Sequence, residues 1–404
     1  MDTFDQRVSP QSRGLDALSP GRASAATKLP AVGMPGTIVH LLGEASDNMV
    51  GFFGPVTTAL AESGLHQSVI LLDRPNQRHL LLKLHPSVRL VLVPPNAGRW
   101  RALVTLLRLL GAEVQRAPGA AVHLHGIVPS LLGGYAARFL GLSAPLYFTP
   151  YGRGLRRPLN GVAAMLLWAL RPRQGAPARR TITSRRTEVE ALQQLTGAPV
   201  DLVEGSVDDI FFDTPRHEAR RPLIVTASRR GDPRGAAMYT QLAVLLSDES
   251  LGLGFNWVGS ADAESTAQLN AAGVGIFAAD DDAGRVVHLR SAWLYVALGH
   301  ATRFPTCLVE AMAMGLPCVA LATPQHREVL RHGETGLLFN SEDELLDGIA
   351  SLVDSAAYRV QLGQAGREEA LRRFHRSRFS AALLAAYAAT SEPAPPLSAG
   401  AATV

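Results

Sequence analysis

Short apolar runs alternate with longer stretches whose apolar positions recur every three or four residues along most of this chain. Thr37–Leu42, Ser68–Leu72, Val88–Val93, Ala121–His125 and Leu146–Thr149 read as buried strands. Gly54–Ser63, Arg99–Leu110 and Ser130–Leu140 read as helices between them. The second half repeats the rhythm, with strands at Leu223–Ala227, Phe255–Val258, Ala292–Leu298 and Cys318–Leu321. Its helices fall at Ala236–Leu246, Thr306–Met314, Glu342–Leu352 and Tyr358–Phe374. Alternating strands and helices at this spacing predict parallel sheets covered on both faces, an α/β fold. Two such blocks predict two Rossmann-like domains facing across a cleft. The expected division is a flexible tail over 1–33, a first domain over 34–205 and a second over 206–376. A last helix over 377–390 and a flexible tail over 391–404 complete it.

Composition narrows the class. Apolar residues make up 47% of the 404 and charged residues only 18%, a balance suited to two buried cores rather than a disordered chain. No stretch reaches the ~20 apolar residues of a membrane-spanning helix. The first 33 residues lack the pattern of a secretory signal, so a cytoplasmic protein, soluble or peripheral on the inner face of the membrane, is expected. Two cysteines, Cys307 and Cys318, cannot build a disulfide framework, and no Cys/His spacing indicates a metal site. Net charge is +4, yet Arg99 to Arg186 contains fourteen arginines against one acid, Glu113. That excess suits an anionic membrane surface or a lipid-diphosphate acceptor. Nucleic acid is not expected, because no aromatic-rich, zinc-finger or basic-heptad pattern accompanies the charge. Asp280-Asp281-Asp282 reads as a solvated run in a loop rather than a cation site.

The most informative segment runs from Arg303 to Ala320. Pro305 ends a loop, Thr306 is suited to cap a helix reaching Met314, and Gly315 stops it. Free amides and the dipole at such a start favour a phosphate. Glu310, one turn on, offers a carboxylate to ribose hydroxyls. The run Glu310-Ala311-Met312-Ala313-Met314-Gly315-Leu316-Pro317, together with Glu328 to Leu338, resembles the signature of the family 4 glycosyltransferases. Ser228 to Gly235 resembles that family's basic diphosphate loop, with Arg229 and Arg234 at its spacing. Val258-Gly259 resembles part of its Val-Gly-x-Gly turn, and Glu204 to Asp208 its interdomain linker.

Departures accompany the matches. Thr302 and Arg303 stand where the family has Glu and Gly beside the transferred sugar, and Phe304 completes that turn. In the first half, His123-Leu124-His125 resembles the family's His-x-His strand end. Thr149-Pro150-Tyr151-Gly152 resembles Thr-Pro-His-Gly, with Tyr151 in place of the histidine. The resemblance implies the GT-B fold and metal-independent, retaining transfer of a hexose from a nucleoside diphosphate sugar to a lipid-linked or growing glycan. It implies no cofactor. His125, Thr302 and Arg303 are the expected catalytic-side residues. Arg229, Arg234, Gly259, Phe304, Pro305, Thr306 and Glu310 are expected to hold the donor. Residues 43–54 stand where a loop would close over the acceptor. Arginines flank an apolar stretch, Gly161–Leu170, with Trp168 in it, as in a helix lying at a membrane surface. Arg99-Trp100-Arg101 has the same character, and a plain core helix is the alternative for both stretches. A nucleotide-sugar epimerase and a non-catalytic subunit of the same fold remain alternatives. An NAD-dependent enzyme is disfavoured, as no Gly-x-Gly-x-x-Gly follows a strand.

Overall fold

The computed structural model describes residues 34–43, 45–94, 98–150, 178–229, 232–247, 252–279, 281–299 and 304–389, and every structural statement below refers to these. The apolar runs become strands of two sheets because residues buried on both faces satisfy their backbone groups only by pairing with neighbours. The first sheet contains β1 (Thr37–Leu42), β2 (His66–Leu72), β3 (Arg89–Val93), β4 (Ala121–His125), β5 (Leu146–Thr149), β6 (Arg179–Thr183) and β7 (Val200–Leu202). They lie in the order β3-β2-β1-β4-β5-β6-β7. The second contains β8 (Leu223–Ser228), β9 (Gly254–Gly259), β10 (Gly275–Phe277), β11 (Leu294–Ala297), β12 (Cys318–Leu321) and β13 (Leu337–Phe339). Their order is β10-β9-β8-β11-β12-β13. Every strand pair is parallel, so the chain forms two α/β domains, each doubly wound.

In both sheets the winding direction reverses beside the first strand: β1 lies against β4, and β8 against β11. The helices that follow these strands diverge to opposite faces, leaving a crevice at the strands' carboxyl ends. Each sheet is packed on both sides. Leu41, Val122 and Leu124 meet helix Arg99–Arg116 on one face of the first, while Ile38, Leu42 and Tyr147 meet helix Asp47–Glu62 on the other.

Several expectations shift in detail. Helix Asp47–Glu62 begins seven residues before Gly54 and passes through Pro55, with Ser46 Oγ accepting from the Met49 amide. Most of 43–54 is therefore helix, not a loop poised over a ligand. Strands β6, β7, β10 and β13 escape the apolar-run reading because they are short or polar: β6 reads Arg-Arg-Thr-Ile-Thr and β7 Val-Asp-Leu. The Gly161–Leu170 stretch, with Trp168 and its flanking arginines, lies outside the described residues.

The last two helices tie the halves together. Helix Ala356–Phe374 packs on the second domain, and Ala370 and Phe374 join its core. Helix Arg376–Ala388 then returns to the first domain, where Phe379, Leu383, Ala386 and Tyr387 enter the core beside β1 and helix Asp47–Glu62. The Tyr147 hydroxyl donates to the Tyr387 carbonyl (2.8 Å), and the Tyr387 hydroxyl meets His123 Nδ1 (2.6 Å). The Thr149 hydroxyl occupies the other side of the His123 ring (2.7 Å from Nε2). His40, across the ladder, approaches His125 (Nδ1 to Nε2, 3.0 Å).

Burial holds all three imidazoles in the neutral form. It takes His40 down to about 3 against the smaller opposing effect of Gln67, and holds His123 and His125 well below the usual histidine value. A depressed folded-state value means that the unfolded chain binds more protons. The stabilisation is therefore complete above pH about 6.5 and is lost progressively as pH falls below it. Few carboxylates titrate between pH 7 and 5, so the urea midpoint of the first domain should fall steadily across that interval. A midpoint independent of pH there would contradict the neutral, buried arrangement.

Candidate functional site

The crevice between β8 and β11 collects most of the residues expected at the donor site. The loop after β8 begins with Arg229 and leads into helix Pro233–Leu245. Asp232 caps that helix by accepting from the Gly235 amide (3.0 Å). Asp232 also lies over Gly299 at the end of β11, so close that a Cβ on Gly299 would sit 1.9 Å from its carboxylate. The basic loop and the segment after β11 are thereby pressed together. Gly259 ends β9 with φ +114°, and a Cβ there would meet the Ser228 carbonyl oxygen at 1.9 Å. Glycine is required at this crossing, which fixes the path of the chain into Arg229.

Helix Thr306–Ala313 starts at the same edge. Pro305, not Thr306, holds the capping position, and no side chain caps the helix. The Thr306 amide turns back to the Phe304 carbonyl (2.9 Å). Thr306 is thus the first helical residue, one position later than the capping role expected of it. The next amides are left for solvent or an anion. Glu310, on the inner side of this helix, is 0% exposed. Its Oε2 accepts from Arg285 Nε (3.0 Å), and its Oε1 accepts from Arg285 Nη2 (3.3 Å) and from Arg229 Nη2. Asp282 closes the ring, its Oδ1 accepting from Arg229 Nη2 (3.0 Å) and from Arg285 Nη2. Burial opposes the charge of Arg229, but the carboxylate of Glu310, with Cys307 and Asp282, outweighs it and holds the guanidinium above its ordinary pKa. Burial likewise pushes the Cys307 thiol up to about 12, with Glu310 adding to the effect, so this thiol is no nucleophile at neutral pH.

The expected donor residues thus divide. Arg229, Gly259, Pro305, Thr306 and Glu310 lie at the carboxyl ends of the interior strands β8, β9 and β11, where Arg229 meets Glu310. Arg234 is exposed in the first turn of helix Pro233–Leu245. Phe304 turns to the interdomain linker: a Cβ on Gly205 would lie 2.7 Å from its ring, and it packs edge-on against Phe374 at 5.4 Å. Thr302 and Arg303, like Tyr151, lie outside the described residues. In the first domain, His125 ends β4 in the corresponding crevice, 3% exposed, with its ring edge against Phe53.

Three features escaped the sequence reading. Asp280-Asp281-Asp282 is not merely a solvated run: Asp281 caps helix Asp282–Leu289 by accepting from the Gly284 amide (2.7 Å), and Asp282 bridges two arginines. Arg285, 2% exposed, gave no signal in a sequence rich in arginine. His40, His123 and His125 bring ligand-type nitrogens within 4.8 Å of one another, a cluster that no sequence spacing announced because β1 and β4 are distant in the chain. The linker is tied down as well. Glu204 pairs with Arg373 (2.5 Å) and Arg186 (3.1 Å), and the Val207 amide donates to the Phe374 carbonyl (3.0 Å). Across the domains, Thr187 donates to the Glu328 carboxylate through its hydroxyl and its amide (3.4 Å).

Comparison with known proteins bears on this edge. Residues 265–369, which contain Arg285, Glu310 and Glu328, match the family model described as glycosyl transferases group 1. A phosphatidyl-myo-inositol mannosyltransferase of Mycobacterium leprae is 38% identical over 111 residues, a stretch spanning 26% of this chain and 29% of the relative. Among solved structures, sucrose-phosphate synthase from Thermosynechococcus elongatus superposes with a TM-score of 0.63 at 17% identity, covering 85% of this chain and 96% of that one. Anabaena HepE in complex with UDP-glucose gives 0.64 at 16% identity, covering 87% and 99%. The two-domain architecture is thus that of the GT-B glycosyltransferases, and the group 1 signature occupies the second domain.

Proposed function

We propose that the chain is a glycosyltransferase that moves a hexose from a nucleoside diphosphate sugar to a lipid-linked or growing glycan acceptor. The observation that carries this reading is the meeting of Arg229 with the uncapped start of helix Thr306–Ala313 at the reversal point of the second sheet. A diphosphate resting there would find a guanidinium and free backbone amides, with the exposed Arg234 in the first turn of the helix that follows. Those groups act without a metal: they neutralise the charge that grows on the leaving diphosphate as the sugar–oxygen bond breaks. Retention of the anomeric configuration belongs to the same reading, whereas Glu310, sealed with both oxygens taken by arginines, offers no free acceptor to a ribose in this arrangement, against the expectation from the sequence. In this reading His125, at the matching crevice of the first domain, serves the acceptor and the sugar, a role the sequence also assigns to Thr302 and Arg303. The UDP-glucose complex of the structural neighbour and the lipid substrate in the relative's name support testing UDP- and GDP-sugars with lipid acceptors.

In the same reading the acceptor approaches along the first domain. Helix Arg99–Arg116 exposes Trp100 (82%), Val104 and Arg108 at successive four-residue steps, with Arg101 alongside. On helix Ile127–Phe139, next to it, Tyr135 and Phe139 are exposed and Arg138 lies over the Phe139 ring (5.3 Å). No helix among the described residues is long and apolar enough to cross a membrane. Aromatic and basic groups side by side fit an anionic lipid surface instead.

Two outcomes are expected. Replacing Arg229 and Arg234 together by alanine should lower kcat/KM for the nucleotide sugar about 10²–10³-fold, on the order of 3–4 kcal/mol of transition-state stabilisation. Turnover that survives the double change would remove the diphosphate from this edge. Trp100→Asp with Arg101→Glu should reduce co-sedimentation with vesicles containing anionic lipid several-fold, while neutral vesicles bind neither form. Equal sedimentation of variant and wild type on anionic vesicles would rule out docking through this helix.

A further inference from the structure

The ring Arg229–Glu310–Arg285–Asp282 carries two positive and two negative groups, but it is not symmetric in its exposure. Arg285 and Glu310 are 2% and 1% exposed in their side chains, whereas Arg229 and Asp282 are 41% and 38% exposed. One half is sealed beneath helices Asp282–Leu289 and Thr306–Ala313, and the other faces the crevice. The bonding is uneven in the same sense. Arg285 spans both oxygens of Glu310 through Nε and Nη2, while Arg229 reaches one oxygen through a single nitrogen. A buried carboxylate must keep a partner, because an uncompensated charge away from water is strongly destabilising. The accessible cation of the ring is thus the replaceable one, and the sealed cation is the one that stays.

We propose that Arg285 is a positioning residue for the donor site: it keeps the buried Glu310 charge compensated, so that Arg229 can leave the carboxylate and turn to the phosphates of a nucleoside diphosphate. The inference rests on the reading that a donor diphosphate meets Arg229. Without Arg285, Glu310 depends on Arg229 alone, and each phosphate contact made by Arg229 strands a buried charge. Diphosphate binding then competes with the protein's own carboxylate. Asp282, accessible and bonded to both guanidiniums, steadies the pair without sealing it. The role is distinct from plain reinforcement of the fold, because it singles out the phosphate part of the ligand. A nucleoside without phosphates makes no demand on Arg229.

The experiment measures dissociation constants of UDP, GDP and their parent nucleosides by calorimetry on the full chain. Wild type is compared with Arg285→Met, Glu310→Gln and the double variant. In Arg285→Met the affinity for the preferred diphosphate should fall 10- to 100-fold, while that for its nucleoside changes less than threefold. Neutralising residue 310 removes the competitor, so Glu310→Gln and the double variant should bind that diphosphate within about twofold of each other. This comparison stands even if Arg285→Met alone does not fold, since the double variant buries neither charge of the sealed pair. Equal losses for diphosphate and nucleoside in Arg285→Met, or a tenfold gap between Glu310→Gln and the double variant, would overturn the role of Arg285 while leaving the donor reading standing. Failure of the wild type to bind either diphosphate would overturn the donor reading and this inference with it.

Discussion

A carboxylate with no access to water must have its charge answered from within the protein, and in this molecule that demand falls on Glu310. Its two oxygens draw Arg229 from the end of β8 and Arg285 from helix Asp282–Leu289 to the inner side of helix Thr306–Ala313. Three segments distant in the chain are held at the carboxyl end of the second sheet by this need for compensation. The backbone supports the same arrangement. Gly259 admits the Ser228 carbonyl where any side chain would collide, and Gly299 admits Asp232. The loop, the strand ends and the helix start are therefore positioned by close packing as well as by charge.

The first domain answers a similar constraint without charge. His40, His123 and His125 sit in its crevice as neutral rings, satisfied largely by hydroxyls and by one another. The Tyr387–His123–Thr149 chain extends that network to the returning helix Arg376–Ala388 and joins the crevice of one domain to the element that connects both. The linker is held by the same kind of local pairing: Glu204 against Arg373 and Arg186, and Phe304 against Gly205. Phe304 links the segment before helix Thr306–Ala313 to the linker between the domains.

The two crevices have opposite electrostatic characters. One holds a part-exposed cation backed by a sealed ion pair, and the other is backed by three buried, neutral rings. An anionic group suits the first. The match to the group 1 family model lies within the second domain, over residues 265–369.

Sequence alone determined the periodicity, and through it the α/β class and the doubling of the fold. Buried parallel strands such as Thr37–Leu42, Ala121–His125 and Cys318–Leu321 declare themselves as unbroken apolar runs bounded by turn residues. It also marked Arg229, Gly259 and Glu310, because their neighbours recur in a recognisable order. Edge strands such as Val200–Leu202 stayed hidden, being too short and polar to contrast with a loop. Tertiary structure decided who partners whom. Arg285 became the sealed counter-charge, Asp282 a bridge, Pro305 rather than Thr306 the helix boundary, and three histidines from two strands a single cluster. The physical reason is that pairing energies depend on distance and burial, which periodicity does not encode: one arginine among many becomes distinctive only when the fold removes the water around it.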